Sequence, residues 1–175
     1  RVKVLNISQA DLDSLVKYPD YNVLDFNSCP FEFDRVFEPR CTQEDIFEEV
    51  EPFARSVMAG CRVCVFAYGQ TSSGKTHTME GTEDDSGVNI RCIELLLELG
   101  KSNTEYNTDI SLSVMEIYNE NIRDLLSMDT SSPDETLEVC MGRNGTYVNG
   151  LSEWPVRCRE EAQSLMARGG GNRFV

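Results

Sequence analysis

The chain is poor in positive charge, histidine, tryptophan and long apolar runs, and each shortage removes a class of function. Lys and Arg number 16 against 30 Asp and Glu, a formal charge of −14. A polyanion is gripped through many Lys and Arg contacts, so nucleic acid is excluded as the main partner, and an anionic membrane surface is disfavoured. No apolar run approaches the ~18–20 residues that cross a bilayer. The longest uncharged apolar stretch, Val63 to Tyr68, has only strand length. The opening residues Arg1-Val2-Lys3-Val4-Leu5 carry no apolar h-region and no small-residue cleavage site, so no secretory signal is expected. The absence of an initiator Met reads as a portion cut from something longer. The seven cysteines are odd in number and follow no framework, which fits a reducing compartment. Cys61-Arg62-Val63-Cys64 has C-x-x-C spacing, but no second pair exists and His77 is the only histidine. A zinc site takes about four ligands. Buried structural thiols are the expectation there.

What is present describes one folded α/β domain. The 175 residues suffice for a single core, with 40% hydrophobic and 26% charged content. Phe31-Glu32-Phe33-Asp34 alternates as a half-buried strand does. Thr42 can cap a helix, with Asp45 completing a box three residues on. Ile46, Phe47, Val50, Phe53, Val57 and Met58 recur at helical spacing, Pro52 should kink the helix, and Gly60 should stop it. Val63 to Tyr68 is apolar on both faces, as in a central, buried strand. A helix follows from about Gly74 to Met79, then a polar loop over 80–87, then a helix over 90–99 with Ile93, Leu96 and Leu97 inward. The pattern next predicts a strand over 110–117 and a short helix capped by Asn119 that carries Ile122, Leu125 and Leu126. A hairpin turns at Gly142-Arg143-Asn144-Gly145, and a last helix spans about 159–168 before Gly169-Gly170-Gly171. There is no internal repeat.

Gly69-Gln70-Thr71-Ser72-Ser73-Gly74-Lys75-Thr76 spells G-x-x-x-x-G-K-[ST]. Glycines let backbone N–H groups curl around phosphates, and the helix that follows adds its positive end. Lys75 supplies a point charge to the β- and γ-phosphates, and Thr76 offers its hydroxyl to Mg²⁺. By average residue usage the motif arises by chance in on the order of one in a few hundred chains this long. Its setting between an apolar strand and a helix makes it a nucleotide site. Hydrolysis needs more: a residue holding Mg²⁺ from a second strand and a group that positions water. Asp84-Asp85-Ser86-Gly87 spells D-x-x-G without an apolar strand before it, and Val23-Leu24-Asp25 precedes the loop and lacks the glycine. Neither supplies that half.

From Phe31 onward the residues resemble a kinesin motor domain. Phe33-Asp34-Arg35-Val36-Phe37, the whole stretch from Val65 to Gly81, and Glu116-Ile117-Tyr118-Asn119-Glu120-Asn121-Ile122-Arg123-Asp124-Leu125-Leu126 are similar to characteristic segments of that family. So are Leu137-Glu138-Val139, Val148-Asn149-Gly150-Leu151 and Asn172-Arg173-Phe174-Val175. Gly87-Val88-Asn89-Ile90-Arg91 looks most like the C-terminal-motor, minus-end-directed branch. The resemblance implies a P-loop NTPase-like three-layer sandwich, incomplete, with helices on both faces of a central sheet. It implies ATP and Mg²⁺ as ligands, His77 stacked on adenine, and Arg1 in the adenine pocket, although Val4 stands where the family has proline. It covers the first half of a motor, residues 1–175, ending before the switch I and switch II motifs that read the γ-phosphate and before the main microtubule-binding helix. Microtubules (tubulin) are therefore the implied partner of the parent protein, in the cytoplasm and on the cytoskeleton, with no nucleic acid and no membrane. Arg143, Arg157 and Arg159 are the local residues for a minor microtubule contact. The expected function is the ATP-binding portion of a motor that couples ATP hydrolysis to movement. The alternatives are a truncated, non-motor binding fragment, inactive as an ATPase, and a P-loop nucleoside or nucleotide kinase, which leaves the segments around Phe33 and Tyr118 unexplained.

Overall fold

The computed structural model describes residues 15–105, 107–128, 136–143 and 145–173, and the chain divides into two compact units, residues 1–46 and 47–175. In the first, β1 (Val16–Asp20), β2 (Val23–Phe26) and β3 (Cys29–Glu32) form an antiparallel meander in that order. Phe26 pairs with Cys29, which leaves Asn27 and Ser28 as a two-residue turn with φ of 51° and 63°. Two left-handed residues give the tight turn whose twist matches that of the strands. Asp25 Oδ1 secures it by accepting from Ser28 N at 2.9 Å. The strand expected over 31–34 thus begins earlier and ends at Glu32, and Phe31 and Phe33 are both exposed.

Thr42 and Asp45 open α1 (Gln43–Val57) as expected. Thr42 N donates to Asp45 Oδ2 at 2.6 Å, and Asp45 N donates back to Thr42 Oγ1 at 3.2 Å. This is a capping box with aspartate in the usual glutamate position. The Thr42 backbone N–H, then the Thr42 hydroxyl, hold the Asp45 carboxyl below its ordinary range. Pro52 lies inside the helix without ending it. Gly60, at φ 86°, donates to Val57 O at 2.9 Å and closes the end. Of this helix only Ala54 is a buried hydrophobic residue; Phe53 and Val57 of the expected apolar face are exposed.

The second unit continues with α2 (Lys75–Met79), α3 (Val88–Ser102) and α4 (Arg159–Gly171). Its strands pair only two by two: β4 (Ser111–Leu112) with β9 (Trp154–Pro155), β5 (Met115–Tyr118) with β6 (Asn121–Asp124), and β7 (Glu138–Gly142) with β8 (Gly145–Asn149). Ile90, Val156 and Ala162 form the buried centre, with Ile93, Leu97, Ile110, Leu112, Leu165 and Met166 packed against it. A second buried group, Ile122, Leu125 and Leu126, lies where β6 ends. Arg168 of α4 donates to Leu126 O at 2.9 Å, and Asn172 Nδ2 donates to Leu125 O at 2.8 Å. Two backbone carbonyls that leave the strand are thereby satisfied by the helix.

Four expectations are corrected. Val63 to Tyr68 is not a buried central strand: no described strand pairs with it, and Val63, Val65, Phe66 and Tyr68 are exposed. A strand exists only through its hydrogen-bonded neighbours, and the described residues form four small sheets rather than one central sheet. The segment after Asn119 is a strand, not a helix. Asn119 and Glu120 have φ of 48° and 65°, so they make a tight hairpin turn, and Tyr118 pairs with Asn121. The last helix runs on through the three glycines to Gly171, and a Cβ at Gly169 would come within 2.9 Å of Val114 Cγ1 in the link between β4 and β5, so the close approach there favours glycine. Finally, all seven cysteines are free, and Cys29, Cys61 and Cys64 are exposed rather than buried. Cys92 is the one whose thiol is pushed up by burial.

Candidate functional site

Residues 69–76 leave the extended segment and enter α2, and short-range hydrogen bonds set their shape. Ser73 N donates to Gln70 O at 3.2 Å, which turns the loop. Ser72 and Gly74 take φ of 63° and 93°, left-handed values that suit a glycine at the second position. At Gly69 a Cβ would stand 2.5 Å from Ser73 Oγ, so any larger residue there would make the Ser73 hydroxyl turn away. Thr78 N to Gly74 O, at 2.9 Å, is the first helical bond.

Lys75 folds back over this loop. Its Nζ donates to Gly69 O at 3.0 Å and to Gln70 O at 2.7 Å. An ammonium has three donors and no acceptor, so two of the three are taken by the loop's own carbonyls. Thr76 and His77 are both exposed on α2. Thr76 O accepts from Glu80 N at 2.8 Å and from Gly81 N at 3.4 Å, which closes the short helix onto the following loop. The structure thus gathers Gly69, Gln70, Thr71, Ser72, Ser73, Gly74, Lys75, Thr76 and His77 on one loop and one helical turn. Arg1, the remaining residue expected at the site, lies outside the described residues.

These residues fit a polyphosphate with a bound divalent cation. In a chain of charge −14, no Asp or Glu occurs between Glu51 and Glu80, while Arg55, Arg62, Lys75 and His77 do. That acid-free interval, the longest in the chain, was readable in the sequence, and it carries no nearby-in-sequence carboxylate to repel anionic oxygens. A cavity of about 650 Å³ lies next to it, lined by Glu80, Thr82, Ser86, Ile90, Gln163 and Met166 among others. No P-loop residue lines that cavity, and its two carboxylates suit phosphate poorly. Among the described residues, no group of His, Cys, Asp and Glu is arranged to hold a metal ion, and no helix is long and apolar enough to cross a membrane.

The loop after α2 is pinned rather than slack, which the sequence pattern did not show. Gly81 and Ser86 form a β-bridge, and Gly87 N donates to Glu80 O at 2.9 Å. A Cβ at Gly87 would meet Gly81 N and the Met79 carbonyl at 2.7 Å. Asp84-Asp85-Ser86-Gly87 therefore has a structural role. Asp85 pairs with Arg91 at 3.0 Å, and Ser86 is buried. Arg159 is likewise committed, to Glu94 at 2.8 Å and Ser86 Oγ at 2.9 Å, and so is engaged within the chain. Arg143 and Arg157 are exposed.

Comparison with known proteins assigns the family. The sequence profile of the kinesin motor domain matches residues 13–175. Kinesin-like protein KIN-14Q of Arabidopsis thaliana is 46% identical over 149 residues, and KIN-14R of the same plant is 44% identical over 147. Each alignment covers 83% of this chain, but only 12% and 13% of the relative. These are C-terminal-motor kinesins, in agreement with the reading of residues 87–91. A solved structure of a fast kinesin superposes with a TM-score of 0.83 at 34% identity, over 94% of this chain and 50% of that one. The chain path therefore follows the motor fold, although no single sheet joins the described strands. The chain belongs to the kinesin motor domain family.

Proposed function

We propose that this chain is the ATP-binding portion of a kinesin whose parent protein couples ATP hydrolysis to movement along microtubules in the cytoplasm. The observation that carries the ATP site is the loop closed by Lys75, with its ammonium 2.7–3.0 Å from two loop carbonyls, inside the only long acid-free interval of the chain. Backbone N–H groups of residues 70–75, apart from that of Ser73, which Gln70 O holds, would bind phosphate oxygens. Lys75 would exchange its carbonyl partners for phosphate, and charge-assisted bonds are roughly twice as strong as those to neutral acceptors. The exposed hydroxyl of Thr76 would hold Mg²⁺, and the exposed ring of His77 and the side chain of Arg1 would face adenine. Magnesium, when bound, neutralises charge on the β- and γ-phosphates. None of these residues positions an attacking water, so this segment binds and orients the nucleotide and carries no assigned catalytic group.

Titration with a fluorescent ATP analogue tests the reading. The chain should bind in the presence of Mg²⁺, with Lys75→Ala weakening binding about tenfold or more, a loss of at least ~1.4 kcal/mol. Equal signals from the chain and from Lys75→Ala would refute the site. Absence of microtubule-stimulated ATPase in the full-length parent would refute the motor assignment.

A further inference from the structure

Two arginine contacts, one an ion pair and one a hydrogen bond to a hydroxyl, join the loop after the phosphate site to the α4 segment, and they meet that loop at its two ends. Arg173, just past α4, donates to Glu80 Oε1 at 2.6 Å across 93 residues of sequence. Arg159, at the start of α4, donates to Ser86 Oγ at 2.9 Å while it also holds Glu94. Between these points the loop cannot easily flex. The Gly81–Ser86 bridge pinches it, and backbone lies 2.2–2.7 Å from where a Cβ would stand at Gly81 and Gly87. Both mounts of the outer pair are fixed as well. Glu80 caps the end of α2, with its N–H on Thr76 O, and Arg173 follows Asn172, whose amide is tied to Leu125 O at 2.8 Å.

We propose that Arg173 and Glu80 are positioning residues for the nucleotide site, and that through them occupancy of the site and the placement of the C-terminal end of α4 are linked. The path is short. The Arg173 guanidinium holds the Glu80 carboxylate, the Glu80 N–H holds the Thr76 carbonyl, and Thr76 is the residue assigned to Mg²⁺. Neither Arg173 nor Glu80 touches nucleotide in this scheme. Each sets where α2 ends, and therefore where the Thr76 hydroxyl and the loop N–H groups stand. Linkage is reciprocal: a contact that steadies the bound form of α2 is itself steadied by binding. Both side chains are more than a third exposed, so the effect is modest, of the size of a geometrically fixed surface pair. The inference rests on residues 69–76 being the nucleotide site.

A charge cycle read by two probes tests it. Glu80→Gln and Arg173→Gln should each weaken binding of a fluorescent Mg·ATP analogue about threefold. The double Gln variant should lose no more than either alone, and the reversed pair, Glu80→Arg with Arg173→Glu, should regain most of the affinity. Hydrogen exchange supplies the second probe. Analogue binding should slow exchange at the amides of residues 80–81 and 170–173 in the unaltered chain, and the slowing at 170–173 should vanish in Glu80→Gln. Additive losses in the cycle, or single variants with lower thermal stability and unchanged affinity, would overturn the coupling while the site stands, provided Lys75→Ala still weakens binding about tenfold or more. If the unaltered chain and Lys75→Ala bind alike, the site and the coupling fall together.

Discussion

Removing the guanidinium of Arg168 should loosen the junction between β6 and α4, and the chain carries its own reporter for the change. Arg168 Nη2 donates to Leu126 O at 2.9 Å, and its guanidinium carbon lies 4.5 Å from the ring centroid of Trp154, the only tryptophan. Trp154 Nε1 in turn donates to Ser152 Oγ at 3.2 Å. A charged donor on a carbonyl beside the fully buried Leu126 is worth about 1.5–3 kcal/mol. The stacked cation adds about 1 kcal/mol. Against these stands Arg168 Nε, buried with no hydrogen-bond partner among the described residues, whose release to water returns about 1 kcal/mol. The net cost of Arg168→Ala is thus about 2 kcal/mol. With a urea slope of about 2 kcal/mol/M, the midpoint should fall by about 1 M. Urea titration followed by Trp154 emission measures both the midpoint and the native-state spectrum, which should change as the cation leaves the ring. Arg168→Lys keeps charge but loses the planar fork, so it should recover only about half of the loss. A midpoint within about 0.2 M of the unaltered chain would refute the reasoning, since the slope above leaves only ~0.4 kcal/mol for both contacts together.

Two further perturbations probe local backbone chemistry. Glu120, at φ 65° in the Asn119–Glu120 turn, carries a side chain where glycine is favoured; Glu120→Gly should stabilise the hairpin by about 1 kcal/mol, seen as slower exchange of the β5–β6 amides. The Asp45 carboxyl is held below its ordinary value of 3.8 by Thr42; its contribution to the α1 cap is full above that value and fades as pH falls through the lower folded value. The Thr42 amide shift should therefore titrate below pH 3.8, and a titration above it would contradict the capping bond.

What the sequence revealed divides by the range of the interactions. The capping box at Thr42 and Asp45, the stop at Gly60, the start of α2 and the β7–β8 hairpin all depend on residues a few positions apart, and all occur near where the pattern placed them. The tight turn at Asn119–Glu120 was missed because it lacks the glycine that usually signals two left-handed residues. The extension of α4 through Gly169 was missed for a different reason. Glycine normally ends a helix, but here the missing Cβ admits Val114, a contact that no local pattern encodes. The contact of Arg173 with Glu80 has no sequence signal at all, being a meeting of residues 93 positions apart.

The phosphate loop shows the same division inside a single site. Every hydrogen bond that shapes it spans six positions or fewer: Lys75 to Gly69 and Gln70, Ser73 to Gln70, Thr78 to Gly74. Its conformation therefore rests on local bonds, which is why a motif of eight residues could be read as a site. The segment that leads into it has no such independence. Val63 to Tyr68 is apolar on both faces, yet it pairs with no described strand. The loop is thus tied by hydrogen bonds on its C-terminal side, through Glu80, Gly87 and α4, while no described strand pairs with its N-terminal approach. Ordering that approach on binding costs about 1–2 kcal/mol per residue fixed. Two or three residues ordered there would weaken the affinity by roughly thirtyfold or more, since each ~1.4 kcal/mol is tenfold. The geometry of the loop thus reports what it binds, and the pairing state of Val63 to Tyr68 governs how tightly.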